Sequence, residues 1–314
     1  MPGAAILDSE GAYAVAQSTP SAVRATLAAA VRAEVPNDLP IRAVVLASSA
    51  RSRLTSSAVI AIAAERASVP VVELTAGPLP RWVGSDTLVV ALDSGVAEGL
   101  LSDSTVDGVP IVAVGGNVDD RPQPIVETAA ALAALEQFGV VSGLLDDMVA
   151  ACGFLEARWA ELVSSPSAAQ RLAKRVGRTI PLVYGAGAVG HAATAAWKHS
   201  VNRNAKAPAF ANAVPGVDHD EVCGWAQHGD VTRQVFTLVV LRHPFQSADE
   251  SHRLDVTAET CDEIVAGVHQ VTVSSPNKVA ALFELMLHGE VVSLEMAALA
   301  DIDPGPTPIT DRYL

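Results

Sequence analysis

A pattern that occurs twice along the chain constrains the fold more than any other feature. A short β-branched run, Ile41 to Leu46, leads into a small and polar stretch, Ala47 to Arg53, and then a helix-like segment, Thr55 to Arg66. About 140 residues later the order restarts, with Ile180 to Tyr184 as strand, Gly185 to Gly190 as loop and Ala192 to Ser200 as helix. Further buried-type strands are expected at Val69 to Leu74, Thr87 to Leu92 and Val109 to Val114, and in the second half at Phe236 to Leu241 and Val268 to Val273. Helical patterns fall at Ile125 to Gln137, Leu144 to Val163, an acidic segment Glu250 to Val265, and a set of helices from Pro276 to Leu299. Strands alternating with helices are the rhythm of right-handed βαβ units, so the expectation is an α/β fold of two doubly wound parallel sheets, each a three-layer αβα sandwich. The expected domains are 1–145 and 146–314, joined among the helices between Gly139 and Gly177. Thr19 and Pro20 predict the start of an opening helix, with Val23, Leu27, Ala30 and Val31 on one face.

Composition narrows the functional classes. Half the residues are hydrophobic and 18% are charged, which is ample material for two cores. The formal net charge of -14, with scattered basic residues, argues against a nucleic-acid or anionic-membrane surface as partner. An anionic ligand must then be held by a few local groups. The three cysteines are odd in number and far apart, fitting neither a disulfide framework nor a zinc site, and no metal or other cofactor is expected. Residues 1–8 lack a signal-peptide pattern and the apolar runs are too short to span a membrane, so a cytoplasmic protein is expected.

Gly185, Gly187 and Gly190 spell GxGxxG between a strand and a helix. A dinucleotide fingerprint also needs an acidic residue about 20 positions on, and Ala205 to Phe210 offers only Lys206. The glycines instead suit a tight turn against a helix N-terminus whose N–H groups receive an oxygen. The stretch from Trp197 to Trp225 gathers Lys198, His199, Arg203, Asn204, Lys206, His219 and Glu221 in a polar, proline-interrupted region of loop character. Such loops tend to line sites, although composition alone favours an ordinary solvated connection between helices.

The order Asn202, Arg203, Asn204, Ala205, Lys206, then Asp218, His219, Asp220, Glu221, then Gly224 and Trp225 resembles a signature of the bacterial bifunctional phosphoglucose/phosphomannose isomerases. That signature reads Asn-Glu-Asn-Ala-Lys, then Asn-His-Asn-Glu, then a glycine–aromatic pair. Leu282, Phe283, Leu285, Gly289, Glu290, Ser293, Ala297, Asp303 and Pro304 are similar to the family's closing helix pair and Asp-Pro turn, and Leu7, Asp8, Gly11 and Pro20 to its opening. The resemblance implies two sugar isomerase (SIS) domains and aldose–ketose conversion of glucose or mannose 6-phosphate to fructose 6-phosphate. It also implies a homodimer with a composite cleft, in which His219 of one chain opens the sugar ring in the other's site; by residue type alone His219 is equally a core or surface histidine.

Several positions depart from the family pattern. Arg203 stands where the family has its proton-transferring glutamate, and a guanidinium cannot act as a base at working pH. The first phosphate loop, Gly-Met-Gly-Gly-Ser in the family, is here Leu46 to Ala50, and the second, Ser-Tyr-Ser-Gly-Asn-Thr, is Leu92 to Ala97. Asp93 thereby sets an anion beside an anion site. The family's Pro-Arg corresponds to Pro124 and Ile125, leaving Arg121 as a substitute, and no lysine follows Asp303. The expected roles are therefore His219, Glu221 and Arg203 at the catalytic positions, with Glu221 or a water replacing the lost base. Ser48, Ser49, Arg51, Ser94, Gly95 and Lys206 are expected to hold a sugar phosphate. The alternative is a non-catalytic phosphosugar-binding or regulatory protein on the same fold.

Overall fold

The computed structural model describes residues 7–32, 39–75, 77–103, 108–116, 121–164 and 166–309. Residues 310–314, the end of the stretch after Asp303 in which no lysine occurs, fall outside them. The chain divides into two compact units, one formed by Thr19–Gly153 (the first unit) and one by Phe154–Leu314 together with residues 1–18 (the second unit).

The first unit carries β1 (Ala43–Ser48), α2 (Arg53–Ala63), β2 (Val71–Thr75), β3 (Thr87–Ala91), α3 (Ser94–Leu101), β4 (Ile111–Ala113) and α4 (Pro124–Gln137). Its sheet has the order β2-β1-β3-β4 and is parallel throughout, with Val44 opposite Leu88 across β1 and β3. The second unit carries α6 (Ala168–Val176), β5 (Ile180–Ala186), α7 (Gly187–Asn204), β6 (Phe210–Val214), three short helices, α8 (Gly216–His219), α9 (Glu221–Gly224) and α10 (Gly229–Val235), then β7 (Phe236–Arg242), α11 (Ala248–Asp262), β8 (Val268–Thr272) and α12 (Lys278–Leu299). Its order, β6-β5-β7-β8, is again parallel and repeats the first topology strand for strand. α1 (Ala12–Ala30) and α5 (Leu144–Val163) each run across the division between the units.

Two doubly wound parallel sheets are thus the architecture that the repeated sequence pattern predicts. Central strands β1, β3, β5 and β7 are buried almost end to end, as strands covered on both faces must be, which is why they read as continuous apolar runs. No helix among the described residues is long and apolar enough to cross a membrane.

Three local expectations are corrected. α1 begins at Ala12 rather than at Thr19, and Pro20 lies inside it. The Asp8 carboxylate accepts the N–H groups of Ala12 (2.7 Å) and Tyr13 (3.0 Å), so the capping residue lies about three turns upstream of the predicted Thr19. An interior proline costs about 3 kcal/mol in a helix; burial of Ala12 and Ala16 against Leu294 helps to offset it. Second, the Trp197 to Trp225 stretch is not a loop: it holds the end of α7, all of β6 and two short helices. Strand β6, sequence FANAV, has little β propensity and sits at a sheet edge, where weak alternation suffices. Third, the closing helix pair is one continuous helix, α12, capped by the Asn277 side chain accepting from the N–H of Ala280 (2.8 Å). Its only glycine, Gly289, does not break it because Trp197 of α7 fills the space: a Cβ there would lie 2.7 Å from the indole ring.

Candidate functional site

In the first unit the strand order reverses between β1 and β3, and a crevice in such a sheet opens beyond their carboxyl ends. The loop Ser49 to Ser52 follows β1, and Leu92 and Asp93 follow β3. The third wall comes from the turn after β4, where Gly115 passes so close that a Cβ would lie 2.0 Å from the Leu92 carbonyl oxygen. Only glycine permits that crossing.

Asp93 occupies the centre of the crevice. Its carboxylate is 1% exposed and accepts the hydroxyls of Ser49 (2.7 Å) and Ser52 (2.6 Å). Its other oxygen accepts the N–H of Val96 (2.9 Å) and so caps α3. Burial opposes the charged form, but the Ser52 hydroxyl, the Val96 N–H, the Ser49 hydroxyl and the Arg51 guanidinium outweigh it and hold the carboxyl below the usual carboxylate range. A helix N-terminus with converging hydroxyls and a nearby cation is an anion nest, and here its anion belongs to the chain itself. Arg51 in turn donates to the buried Glu127 (3.2 Å), which also accepts the Thr55 hydroxyl (2.8 Å).

Of the residues expected to bind ligand here, Ser49, Arg51 and Ser94 lie at the crevice. Ser94 donates its N–H to the Gly116 carbonyl (3.3 Å), and Gly95 is exposed in the first turn of α3. Ser48 is buried against the edge strand β2, with its hydroxyl 3.3 Å from a Glu73 carboxylate oxygen and 3.2 Å from the Thr75 hydroxyl. Sequence reasoning missed the part played by Thr55 and Glu127. A glutamate in the first turn of a proline-initiated helix was the available signal.

The second unit places the signature residues at two ends of one sheet. α7 leaves the carboxyl end of β5 and returns the chain to the start of β6, so Arg203 in its last turn and Lys206 just beyond lie at the amino end of the sheet. The Lys206 ammonium donates to the carbonyls of Arg203 (2.5 Å) and Pro304 (3.3 Å) and so closes the α7 C-terminus. His219 and Glu221 come after the carboxyl end of β6, on α8 and α9. His219 is exposed. Glu221 accepts the Asn212 amide (3.0 Å) and the hydroxyl of buried Tyr184. Burial and the Glu221 carboxylate both raise the Tyr184 phenol, which stays protonated as the donor. Within one chain the three expected catalytic residues do not converge.

Other signature residues serve packing. Asn204 donates to the Ser293 hydroxyl (2.8 Å), Ser200 donates to Glu290 (2.7 Å), and Gly289 receives Trp197, so these positions stitch α7 to α12. Asp303 accepts the N–H groups of Ser9 (3.2 Å) and Gly305 (2.9 Å) and ties the opening segment to the closing turn. At the glycine loop, Gly185 and Gly190 abut so closely that a Cβ on Gly185 would lie 2.9 Å from the Gly190 carbonyl oxygen, while Gly187, at φ +62°, faces the Glu250 carboxylate. His243, at the end of β7, lies 3.4 Å through Nε2 from the Ala186 carbonyl. Burial pushes its imidazole down, toward the neutral form.

The comparisons with known proteins agree with this architecture. Residues 166–313 match the family model described as the bacterial phospho-glucose isomerase C-terminal SIS domain. A bifunctional phosphoglucose/phosphomannose isomerase of Caldicellulosiruptor bescii is 25% identical over 275 residues, covering 79% of this chain and 81% of its own. One from Aquifex aeolicus is 28% identical over 148 residues, 46% of this chain and 44% of its own. Among solved structures, a glucose-6-phosphate isomerase like protein from Thermus thermophilus aligns over 99% of both chains with a TM-score of 0.57 at 16% identity. The C-terminal domain of glucosamine-fructose-6-phosphate aminotransferase from Francisella tularensis aligns over 95% of this chain and 98% of its own with a TM-score of 0.66 at 10% identity. Signature, duplicated fold and relatives together make this chain similar to the bacterial bifunctional phosphoglucose/phosphomannose isomerases, with the family-model match lying at residues 166–313.

Proposed function

We propose that the protein is a phosphosugar isomerase of the hexose 6-phosphate type in which aldose–ketose conversion is weak or absent. The observation that carries this reading is the buried Asp93 carboxylate, which already holds the hydroxyls of Ser49 and Ser52 and the N–H of Val96 at the first unit's crevice. A substrate phosphate arriving there meets a like charge and donors that are already engaged. The chemistry is impaired independently. Isomerisation through an enediol needs a base that moves a proton between C1 and C2, and Arg203 at the family's glutamate position stays protonated. Glu221 does not supply a ready replacement, because its carboxylate is held by Tyr184 and Asn212.

In this reading the active assembly is a homodimer. His219 and Arg203 lie at opposite ends of the second sheet, so a site that uses both positions has to draw them from two chains. The test is an isomerase assay on glucose 6-phosphate and mannose 6-phosphate alongside thermal shift with the same sugars. Turnover at a typical enzymatic rate, about 1 to 10³ per second, overturns the proposal. Stabilisation by the sugars without turnover favours a phosphosugar-binding or regulatory role, for which the engaged Glu221 speaks.

A further inference from the structure

A second cavity, of about 440 Å³, lies wholly within the second unit, between the outer side of β8 and the helices α5, α6 and α12. Arg158, Arg171, Arg175, His269 and His288 line it, over apolar walls that include Leu172 and Val268. In a chain with a formal net charge of -14, the three arginines gather positive charge around one cavity.

The arginines are not equivalent. Arg158 is matched by Glu284 (2.9 Å) and Glu161. Arg171 donates to the Pro166 carbonyl (2.5 Å), and Arg175 lies 3.5 Å from Nδ1 of His269; neither has a carboxylate partner among the described residues. They stand four positions apart on α6, so both guanidinium groups rise on one helix face. His288 adds an independent observation. It is 8% exposed, stacks on Trp197 and lines the cavity, and its Nδ1 is buried without a hydrogen-bond partner among the described residues. Burial, and then Arg158, push it down to about 4, so the ring is neutral and its Nδ1 is a buried polar atom of the cavity wall whose hydrogen-bonding capacity is unspent among the described residues. As an edge strand, β8 also offers unpaired main-chain groups on its outer side.

We propose that this cavity binds a small molecule through a phosphoryl or pyrophosphoryl group held by Arg171 and Arg175, with His288 as a buried polar contact. Its volume falls in the range of small-molecule pockets, and paired guanidinium groups suit phosphoryl oxygens. The site shares no residue with the crevice at Asp93, and it stands or falls independently of the isomerase reading.

Isothermal titration of the full-length protein with pyrophosphate tests it. The wild type should bind, and Arg171→Gln with Arg175→Gln, both exposed positions, should raise the apparent Kd at least tenfold without unfolding the protein. His288→Phe, which keeps a ring on Trp197, should weaken binding as well. No binding at millimolar pyrophosphate, binding by the double variant equal to wild type, or the same response to chloride at matched ionic strength would each overturn the proposal.

Discussion

Replacing Asp93 with alanine should weaken the folded first unit and at the same time create an anion site. The side chain accepts three hydrogen bonds, from Ser49 (2.7 Å), Ser52 (2.6 Å) and Val96 (2.9 Å), in a place that is 1% exposed. Losing the α3 cap costs about 1 kcal/mol. Hydrogen bonds to a charged acceptor contribute about 1.5–3 kcal/mol each, but the two hydroxyls rotate to other partners or water, so we expect a total of about 2–4 kcal/mol. For a unit of this size that corresponds to a fall in Tm of about 6–16 °C. Asp93→Asn keeps a capping oxygen and should cost only about 1 kcal/mol. Because the folded protein holds this carboxyl below the ordinary range, its contribution is complete above that range and is lost as pH falls through the folded value. The stability gap between wild type and Asp93→Asn should therefore shrink in acid. Inorganic phosphate should stabilise Asp93→Ala by about 2.7 kcal/mol at a hundredfold excess over Kd, and leave wild type unmoved. Differential scanning fluorimetry across pH and phosphate concentration reads all of these. If phosphate stabilises the wild type as much as Asp93→Ala, or if the alanine variant melts with the wild type, Asp93 is not the anion of this nest.

The remaining expectations are simpler. Arg203→Glu should raise hexose 6-phosphate isomerase activity measurably, but to less than the 10²- to 10⁴-fold that a general base contributes, since phosphate placement is still impaired; a coupled assay showing no gain argues against this position as the lost base. Gly289→Ala should destabilise the second unit by about 1–3 kcal/mol in denaturant titration, because the new methyl would lie 2.7 Å from the Trp197 ring; an unchanged midpoint would refute the close approach of α7 and α12. Light scattering should give about twice the chain mass of 32.4 kDa at micromolar concentration, and a monomer there excludes a site built from two chains.

The sequence by itself determined seven of the eight described strands, their parallel arrangement and the repeat of the strand-loop-helix pattern, because buried strands must be apolar along their length and βαβ crossovers have one hand. Leu144 to Val163 and Thr87 to Leu92 were legible for that reason: local pattern and final burial agree. Strand β6 was not, since FANAV becomes a strand only through its pairing with β5, and neither was the start of α1, where Asp8 caps a helix that its own Pro20 opposes. The family signature was readable as letters, but not what each letter does. Only the tertiary structure decided that Asn204, Gly289, Glu290 and Ser293 join two helices, that Lys206 closes a helix end, and that Glu221 receives Tyr184. The same holds for Asp93. From sequence it was an anion beside a presumed anion site, and in the fold it is the anion within one, because Ser49, Ser52 and the α3 N-terminus converge only when β1 and β3 lie side by side. Periodicity is a local property that burial imposes on each element separately, whereas a side chain's partner is set by elements distant in sequence, and no run of neighbouring residues encodes that distance.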